Sequence, residues 1–162
     1  MNPKLDIKVP TVGKVFNIVA IISYIVSIMF ILIQWSHLPD LVPSHYNALG
    51  EPDSWSHKGF IFIPLVIGFF LWIGCYEVEK RPHLHNYLAL TEENMEKQYK
   101  NSMLMMNFLK NELLLFFSYG VCNDVFVSHG KNSLLGVWEL PIFAVMIGGT
   151  LLFFVIRSFK LK

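Results

Sequence analysis

The sequence predicts an all-α integral membrane protein with four transmembrane helices and with the N and C termini in the cytoplasm. Three observations support this prediction. Apolar residues make up 54% of the 162 residues and charged residues only 15%. Long apolar runs recur along the chain, and its Lys and Arg residues are concentrated between alternate runs. Because a soluble domain of this size has too little interior to bury so much apolar surface, we expect one four-helix membrane domain over residues 1–162.

The first two apolar runs are each long enough to cross the bilayer. Residues 12–35 (VGKVFNIVAIISYIVSIMFILIQW) exceed the roughly 20 residues that a helix needs to cross the hydrocarbon core. This run is too long for the apolar part of a signal peptide and lacks a small-residue cleavage site, so we expect a retained helix. Residues 59–76 (GFIFIPLVIGFFLWIGCY) form a shorter span after Lys58, and Pro64 predicts a kink in it.

The third span is less apolar than the others. Thr91 is a favourable N-cap followed by acidic residues, so we predict one long helix that begins in water and then enters the membrane. Lys110 and Glu112 would each cost roughly 2.5–3.5 kcal/mol at the bilayer centre. We therefore place the span at 109–127, where both side chains can reach the interface and the span centres stay free of ionisable residues.

The fourth span is predicted at 134–156, and the distribution of positive charge then sets the orientation. With these spans, eleven Lys and Arg residues lie on the side of the termini, and only Lys58 and Lys131 lie on the other side. Positive residues accumulate on the cytoplasmic side of membrane proteins. We therefore expect the loop and helix start at 77–108 in the cytoplasm and the loop at 36–58 outside the cell.

The outer loop is crowded with residues that restrict the backbone. Residues 38–55 read LPDLVPSHYNALGEPDSW. Pro39 and Pro43 favour extended backbone at the residues that precede them. The segment from Asn47 to Gly50 has the composition of a turn, with the glycine free to adopt positive φ. The loop is therefore predicted to have a fixed shape.

The same loop contains side chains that can bind a metal ion. One interpretation is a divalent-metal site with His45 as the nitrogen ligand and Asp40 or Asp53 as the oxygen ligand. The other interpretation is that these residues belong to a solvated turn, since their spacing matches no metal motif. The sequence leaves both interpretations open. A metal would be the cofactor in the first case, and no cofactor is implied in the second.

The sequence contains no known catalytic motif and no nucleic-acid-binding surface. The chain contains no G-x-S-x-G, Walker loop, H-E-x-x-H or dinucleotide fingerprint. The mixed charges of residues 77–108 form neither a polybasic lipid patch nor a nucleic-acid surface. We expect the bilayer, rather than nucleic acid, to be the main partner, and a binding role rather than catalysis.

Two stretches resemble a known bacterial membrane family, the domain of unknown function 1648. Residues 38–58 follow L-P-D-x-V-P-x-H-x-N-x-x-G-E-x-D-x-W-x-x-K, which resembles the outer-loop signature of that family. P-H-L-H-N-Y and T-E-E-N-x-x-x-Q-Y resemble its cytoplasmic segment. The matched outer residues are Pro39, Asp40, Pro43, His45, Asn47, Gly50, Asp53 and Lys58. The matched cytoplasmic residues are Asn86, Tyr87, Glu93, Asn94, Gln98 and Tyr99.

The resemblance extends to the SdpI-like immunity proteins of Gram-positive bacteria, which protect a cell from a secreted killing peptide and in some cases hold a repressor at the membrane. It implies a multi-pass plasma-membrane protein for bacteriocin resistance or signal transduction. The outer loop would bind a toxic peptide or envelope ligand, and the cytoplasmic segment a regulator. Because the third span carries Lys110 and Glu112, repressor docking is not implied. Two alternatives stay open: an outer-face metal-binding protein or enzyme, and a structural or accessory subunit.

Overall fold

The computed structural model describes residues 2–162, and over these residues it contains four α-helices and a two-stranded antiparallel sheet. A short 3-10 helix precedes α2 at Lys58–Ile61, a second lies at Pro82–Leu84, and a third precedes α4 at Gly136–Trp138. The main elements are α1 (Thr11–Gln34), β1 (Leu41–Tyr46), β2 (Pro52–His57), α2 (Phe62–Glu79), α3 (Met95–Ser128) and α4 (Glu139–Lys160).

The β-hairpin formed by β1 and β2 corrects the prediction of an all-α protein. Its turn is closed by Asn47, whose Oδ1 accepts hydrogen bonds from the N–H groups of Leu49 at 2.9 Å and Glu51 at 3.1 Å. Pro43 and Pro52 lie within the strands, which made strand formation hard to predict. Both strands are edge strands of a two-stranded sheet, and an edge tolerates a residue that cannot donate a backbone hydrogen bond.

Within the described residues, three helical segments are long and apolar enough to cross a membrane. They are Thr11–Gln34, Lys58–Glu79 and Gly136–Lys160. Three of the four predicted spans are thus supported by length and composition, as expected of a membrane protein. The predicted third span at 109–127, which lies within α3, and the orientation of the termini stay predictions.

α3 is the central helix of the molecule. It is 34 residues long, which at about 1.5 Å per residue corresponds to roughly 51 Å. It packs against α1, α2 and α4. It begins at Met95 and not directly after Thr91 as predicted, because Thr91 and Asn94 close a turn ahead of the helix. In that turn the Thr91 N–H donates to Asn94 Oδ1 at 2.8 Å, and the Asn94 N–H donates to Thr91 Oγ1 at 3.3 Å.

The interior of the molecule is more polar than the surface of its three apolar helices. Large apolar side chains of α1 and α4 are exposed, for example Ile33 at 68% and Val145 at 73%. Such a surface suits lipid, where interhelical hydrogen bonds help to hold helices together. The buried polar side chains of α3 are Gln98, Asn101, Ser102, Asn107, Lys110, Asn111, Glu112, Ser118, Asn123 and Asp124.

The prediction that Lys110 and Glu112 reach the membrane interface is wrong, since both are buried between helices. Lys110 is 0% exposed and forms an ion pair with Glu79 in the last turn of α2. Glu112 is 4% exposed, and its Oε1 accepts a hydrogen bond from Thr150 of α4 at 2.5 Å. Partners on neighbouring helices replace part of the water that these groups would have met at the interface, whereas Glu112 Oε2 is buried with no hydrogen-bond partner.

The molecule has two polar ends. The hairpin end consists of the β-hairpin and the connection between α3 and α4 at 129–138, which meet at Gly50 and Gly136. The terminal end consists of the segment 80–94 and both termini: Tyr99 donates to Pro3 O at 3.1 Å, and Gln98 donates to Ser158 O at 3.0 Å.

Candidate functional site

The hairpin is fixed to the end of α3 by buried polar contacts. The Tyr46 hydroxyl donates to Asp124 Oδ1 at 2.6 Å and accepts from Asn123 Nδ2 at 3.4 Å. Asn123 Oδ1 in turn accepts from the hydroxyl of Ser133 at 3.1 Å and from the N–H of Leu134 at 2.8 Å. Burial, followed by the nearby charge of Asp124, raises the pKa of Tyr46 above its usual value, so the phenol stays a donor. The hairpin, α3 and the start of the α4 connection therefore form one unit.

The tip of the hairpin lies against the connection to α4. Gly50 has a φ of +74°, and a Cβ added to it would lie 2.4 Å from the carbonyl oxygen of Gly136. Such a distance is far inside van der Waals contact, so the close approach requires a glycine. This contact closes the hairpin over the ends of α3 and α4.

A cavity of about 190 Å³ lies beneath the hairpin, and we call it the hairpin cavity. Its apolar wall combines aromatic rings from the 3-10 helix before α2 and from α3 with the buried face of β1, and its polar wall contains two carboxylates. A mixture of apolar surface with convergent polar groups is typical of ligand sites. The lining residues that matter here are Tyr46, Phe60, Phe116, Phe117, Asp124 and Glu139.

The hairpin cavity has the chemistry expected for one long cationic side chain. Aromatic walls can pack against an apolar stem while the charged head reaches a carboxylate, the arrangement that Lys and Arg adopt at many surfaces. The volume is smaller than that of a typical drug-sized ligand site, roughly 300–1,000 Å³. Asp124 is 8% exposed and already accepts a hydrogen bond from Tyr46. Glu139, in the first turn of α4, is the second acceptor on the same cavity.

The metal ligands predicted from the sequence are only partly brought together. His45 Nδ1 lies 2.6 Å from Asp53 Oδ1, and both side chains are exposed, at 69% and 44%. Asp40 is also exposed, and its backbone carbonyl accepts from the N–H of Lys58 at 2.8 Å. Within residues 2–162 no group of three His, Cys, Asp or Glu side chains is arranged to hold a metal ion. The metal site therefore stays a prediction. Of its three predicted ligands, the structure brings His45 and Asp53 together.

The other outer residues of the family signature shape the hairpin. Pro39 is exposed in the connection between α1 and β1, whereas Pro43 is buried in β1. Asn47 and Gly50 form the turn described above. The Lys58 ammonium lies 5.1 Å from the centre of the Trp35 ring, a cation–π geometry between the two helix ends.

The residues predicted to form the cytoplasmic motif, which lie outside the family match, mostly make contacts within the protein. Asn94 caps its own turn, donating from Nδ2 to Ala89 O at 3.0 Å, and Gln98 and Tyr99 are 0% exposed. Tyr87 stacks on Tyr99 with ring centres 5.3 Å apart, and burial raises its pKa to about 12. Glu93 and Asn86 are exposed. Asn86, Tyr87 and Gln98 line a second cavity, at the terminal end.

A buried polar cluster around Lys110 was missed by sequence reasoning. Asn107 Nδ2 donates to Glu79 Oε1 and to Asn17 Oδ1, both at 2.9 Å. The Asn111 Oδ1 accepts from the Trp72 ring N–H at 2.9 Å. The signal was present: Asn107, Lys110 and Asn111 have the i, i+3, i+4 spacing of one helix face. The spacing does not predict which residues of α1 and α2 these side chains contact.

Residues 22–69 match the model of the family described as Domain of unknown function (DUF1648). The matched segment covers the second half of α1, the hairpin and the first part of α2, and it includes the whole outer-loop signature. The match confirms, over residues 22–69, the family resemblance that this signature predicted. No curated protein matches the chain, and no solved structure matches it.

Proposed function

We propose that this protein, whose residues 22–69 match the DUF1648 family, is a multi-pass protein of the bacterial plasma membrane that binds a secreted cationic peptide at its hairpin end. Its role would be that of an immunity or sensor protein. The observation that carries the proposal is the hairpin cavity, which combines aromatic walls with Asp124 and Glu139 under a hairpin fixed to α3.

The proposal places the hairpin end outside the cell. The excess of Lys and Arg lies with the termini and the segment 80–94, and positive residues accumulate on the cytoplasmic side. α3 joins the two ends, so we treat it as a membrane span together with the three apolar helices. Its polar face is covered by α1, α2 and α4, which makes a membrane-crossing position compatible with its composition.

A cationic peptide suits the site for two physical reasons. A Lys or Arg head would meet two carboxylates in a partly desolvated pocket, where opposite charges attract more strongly than in bulk water. The rest of a peptide would meet the exposed apolar side chains of the hairpin, including Leu41 at 55%, Leu49 at 60% and Trp55 at 45%. Such contacts give a peptide both an anchoring side chain and surrounding apolar surface.

The experiment combines a survival assay with a direct binding measurement. Cells that produce the protein, or its Asp124→Asn and Glu139→Gln variants at matched membrane levels, are challenged with secreted peptides from rival and sister strains. Asn and Gln each retain a hydrogen-bond acceptor while the negative charge is lost, so Tyr46 keeps a partner in the Asp124→Asn variant. We expect protection by the unmodified protein, and at least about tenfold weaker peptide binding by each variant in nanodiscs.

Glu92→Gln provides the matched control, because Glu92 is an exposed carboxylate at the opposite end of the molecule. It should bind the peptide as tightly as the unmodified protein does. Equal binding by all four proteins would place peptide recognition away from the hairpin cavity. A protein that neither protects cells nor binds any peptide tested would overturn the proposal and favour an accessory role.

A further inference from the structure

An open cavity of about 600 Å³ at the terminal end collects positive charge from two distant parts of the chain, and we call it the basic cavity. Lys80 and Arg81 follow directly after α2, and Lys4 comes from the N-terminal segment. Among the described residues that line the basic cavity, Glu77 is the only acidic one. Three cations against one carboxylate leave a formal net charge of +2, and His83 on the same wall adds no negative charge.

The charged groups of Lys80 and Arg81 meet at the carboxylate of Glu77. Lys80 Nζ lies 3.4 Å from Glu77 Oε1, and Arg81 Nη2 lies 3.2 Å from Glu77 Oε2. The Lys80 and Arg81 side chains are 49% and 58% exposed, so both cations are accessible to a ligand. An ammonium has three donors and a guanidinium has five, so each keeps donors for a second partner. One carboxylate therefore leaves this pair of cations with unused charge and unused hydrogen-bond donors.

The third cation is held near this pair by a contact with α3. The hydroxyl of Tyr99, a residue that is 0% exposed, donates to Pro3 O at 3.1 Å. This hydrogen bond fixes the backbone that precedes Lys4, which is why a residue so far away in the sequence lines the same cavity as Lys80. The basic cavity is therefore formed by the folded chain, and the mixed charges of residues 77–108 do not predict it.

The basic cavity adjoins apolar surface at the end of a membrane-crossing helix. The apolar segment that contains α2 ends at Glu79, so the cations that directly follow it lie at the level of the lipid headgroups. A smaller cavity of about 200 Å³ shares Glu77, Arg81 and Leu84 with the basic cavity and has Val78 in its wall. Val78 is 44% exposed and Leu84 is 54% exposed. This arrangement suits a molecule that joins an anionic head to an apolar chain.

We propose that the basic cavity binds the headgroup of an anionic glycerophospholipid, whose phosphate contacts Lys4, Lys80 and Arg81 while an acyl chain lies along Val78 and Leu84. A guanidinium binds phosphate oxygens through two parallel hydrogen bonds, and basic pockets at the cytoplasmic ends of membrane helices are typical headgroup sites. Polybasic segments that bind anionic membrane surfaces contain roughly four to eight cations. Three converging cations instead favour one defined lipid site, which is independent of peptide binding at the hairpin end.

The test uses the purified full-length protein in detergent, and native mass spectrometry counts the lipids bound to it. The probes are phosphatidylglycerol, whose headgroup has a net negative charge, and phosphatidylcholine with the same acyl chains, whose headgroup is zwitterionic. Identical chains ensure that the comparison measures the headgroup alone. We expect the first phosphatidylglycerol to bind at least about tenfold more tightly than phosphatidylcholine does. Equal affinities for the two lipids would overturn the proposal.

Variants locate the preference for phosphatidylglycerol within the terminal end. Lys80→Gln combined with Arg81→Gln should remove it, and the loss of these exposed ion pairs should have little effect on stability. Lys160→Gln combined with Lys162→Gln is the matched control, because it removes the same charge from exposed residues at the end of α4 and should retain the preference. Glu77→Gln should tighten the binding of phosphatidylglycerol, since it removes the one carboxylate of the wall. The proposal is wrong if the two double variants bind alike, or if Glu77→Gln does not tighten binding.

Inorganic phosphate tests the other source of the same chemistry. Equilibrium dialysis against radiolabelled phosphate, at the concentration of phosphatidylglycerol that half-saturates the protein, measures whether a free anion occupies the basic cavity. We expect no stoichiometric binding, because free phosphate makes no contact with Val78 or Leu84. Half-saturation by phosphate at that concentration would assign the cavity to a soluble phosphate compound and overturn the lipid site.

Discussion

Gly50 combines a left-handed backbone with a contact that leaves no room for a side chain. Its φ of +74° alone would cost an L-residue roughly 1–2 kcal/mol. Gly130 has nearly the same φ, +73°, but a Cβ there would meet no atom within 4 Å. The two glycines therefore separate the cost of backbone conformation from the cost of steric overlap with Gly136.

At the residue scale we predict that Gly50→Ala lowers stability more than Gly130→Ala does. Both variants lose the conformational advantage of glycine, and only Gly50→Ala must also displace the backbone at Gly136. The difference should exceed about 1 kcal/mol, since such overlap shifts backbone and not a flexible side chain. Thermal unfolding of the purified proteins in detergent measures it. Equal unfolding temperatures for Gly50→Ala and Gly130→Ala would show that the hairpin tip is not in close contact with the backbone at Gly136.

At the element scale, α2 and α3 are joined by the ion pair between Glu79 and Lys110. The Lys110 ammonium also lies 4.8 Å from the ring centre of Trp72 and 4.7 Å from that of Tyr76. Glu79 is 1% exposed and Lys110 is 0% exposed, so neither charge can turn to water when its partner is removed. Loss of one partner leaves a buried charge uncompensated, which is far more destabilising than loss of an exposed pair.

We predict that Lys110→Met destabilises the protein by about 3–5 kcal/mol. Adding Glu79→Gln should restore a large part of the loss, because Gln removes the charge and still accepts from Asn107. Lys100→Met is the control: Lys100 pairs with Glu96 on the same helix, with side chains 46% and 64% exposed, and should cost less than about 1 kcal/mol. Chemical unfolding in mixed micelles compares the four proteins. The idea fails if Lys110→Met and Lys100→Met unfold alike.

At the scale of the whole molecule, the distribution of charge predicts which end faces the cell exterior. In a background with Cys75→Ala and Cys122→Ala, a membrane-impermeant maleimide should label Ser54→Cys in intact cells and Glu92→Cys only after permeabilisation. Both positions are exposed in the structure, so accessibility on the protein surface does not bias the comparison. Labelling in the opposite pattern would invert the orientation and place the hairpin cavity in the cytoplasm.

The sequence predicts features that depend on neighbouring residues. It does not predict contacts between residues that are far apart along the chain. The apolar runs and the turn at Asn47 involve neighbouring residues, so composition and spacing predict them. The partner of Lys110 lies 31 residues away and is defined only once α2 and α3 pack. The same holds for Tyr46 and Asp124, 78 residues apart. For this reason the hairpin residues were predicted as a site, while the cavity beneath them was not.

The polar interior of α3 has a consequence for how the chain is assembled during synthesis. If α3 crosses the membrane as proposed, a helix with Lys110, Glu112 and several Asn residues gains little from entering lipid alone, so its membrane integration should depend on α1 and α2, which are made first. α4 is made last and supplies Thr150 to Glu112. A chain that ends before α4 would expose that carboxylate to lipid. A membrane protease could then recognise an unfinished chain by the exposed Glu112 face of α3, which α4 covers in the complete chain.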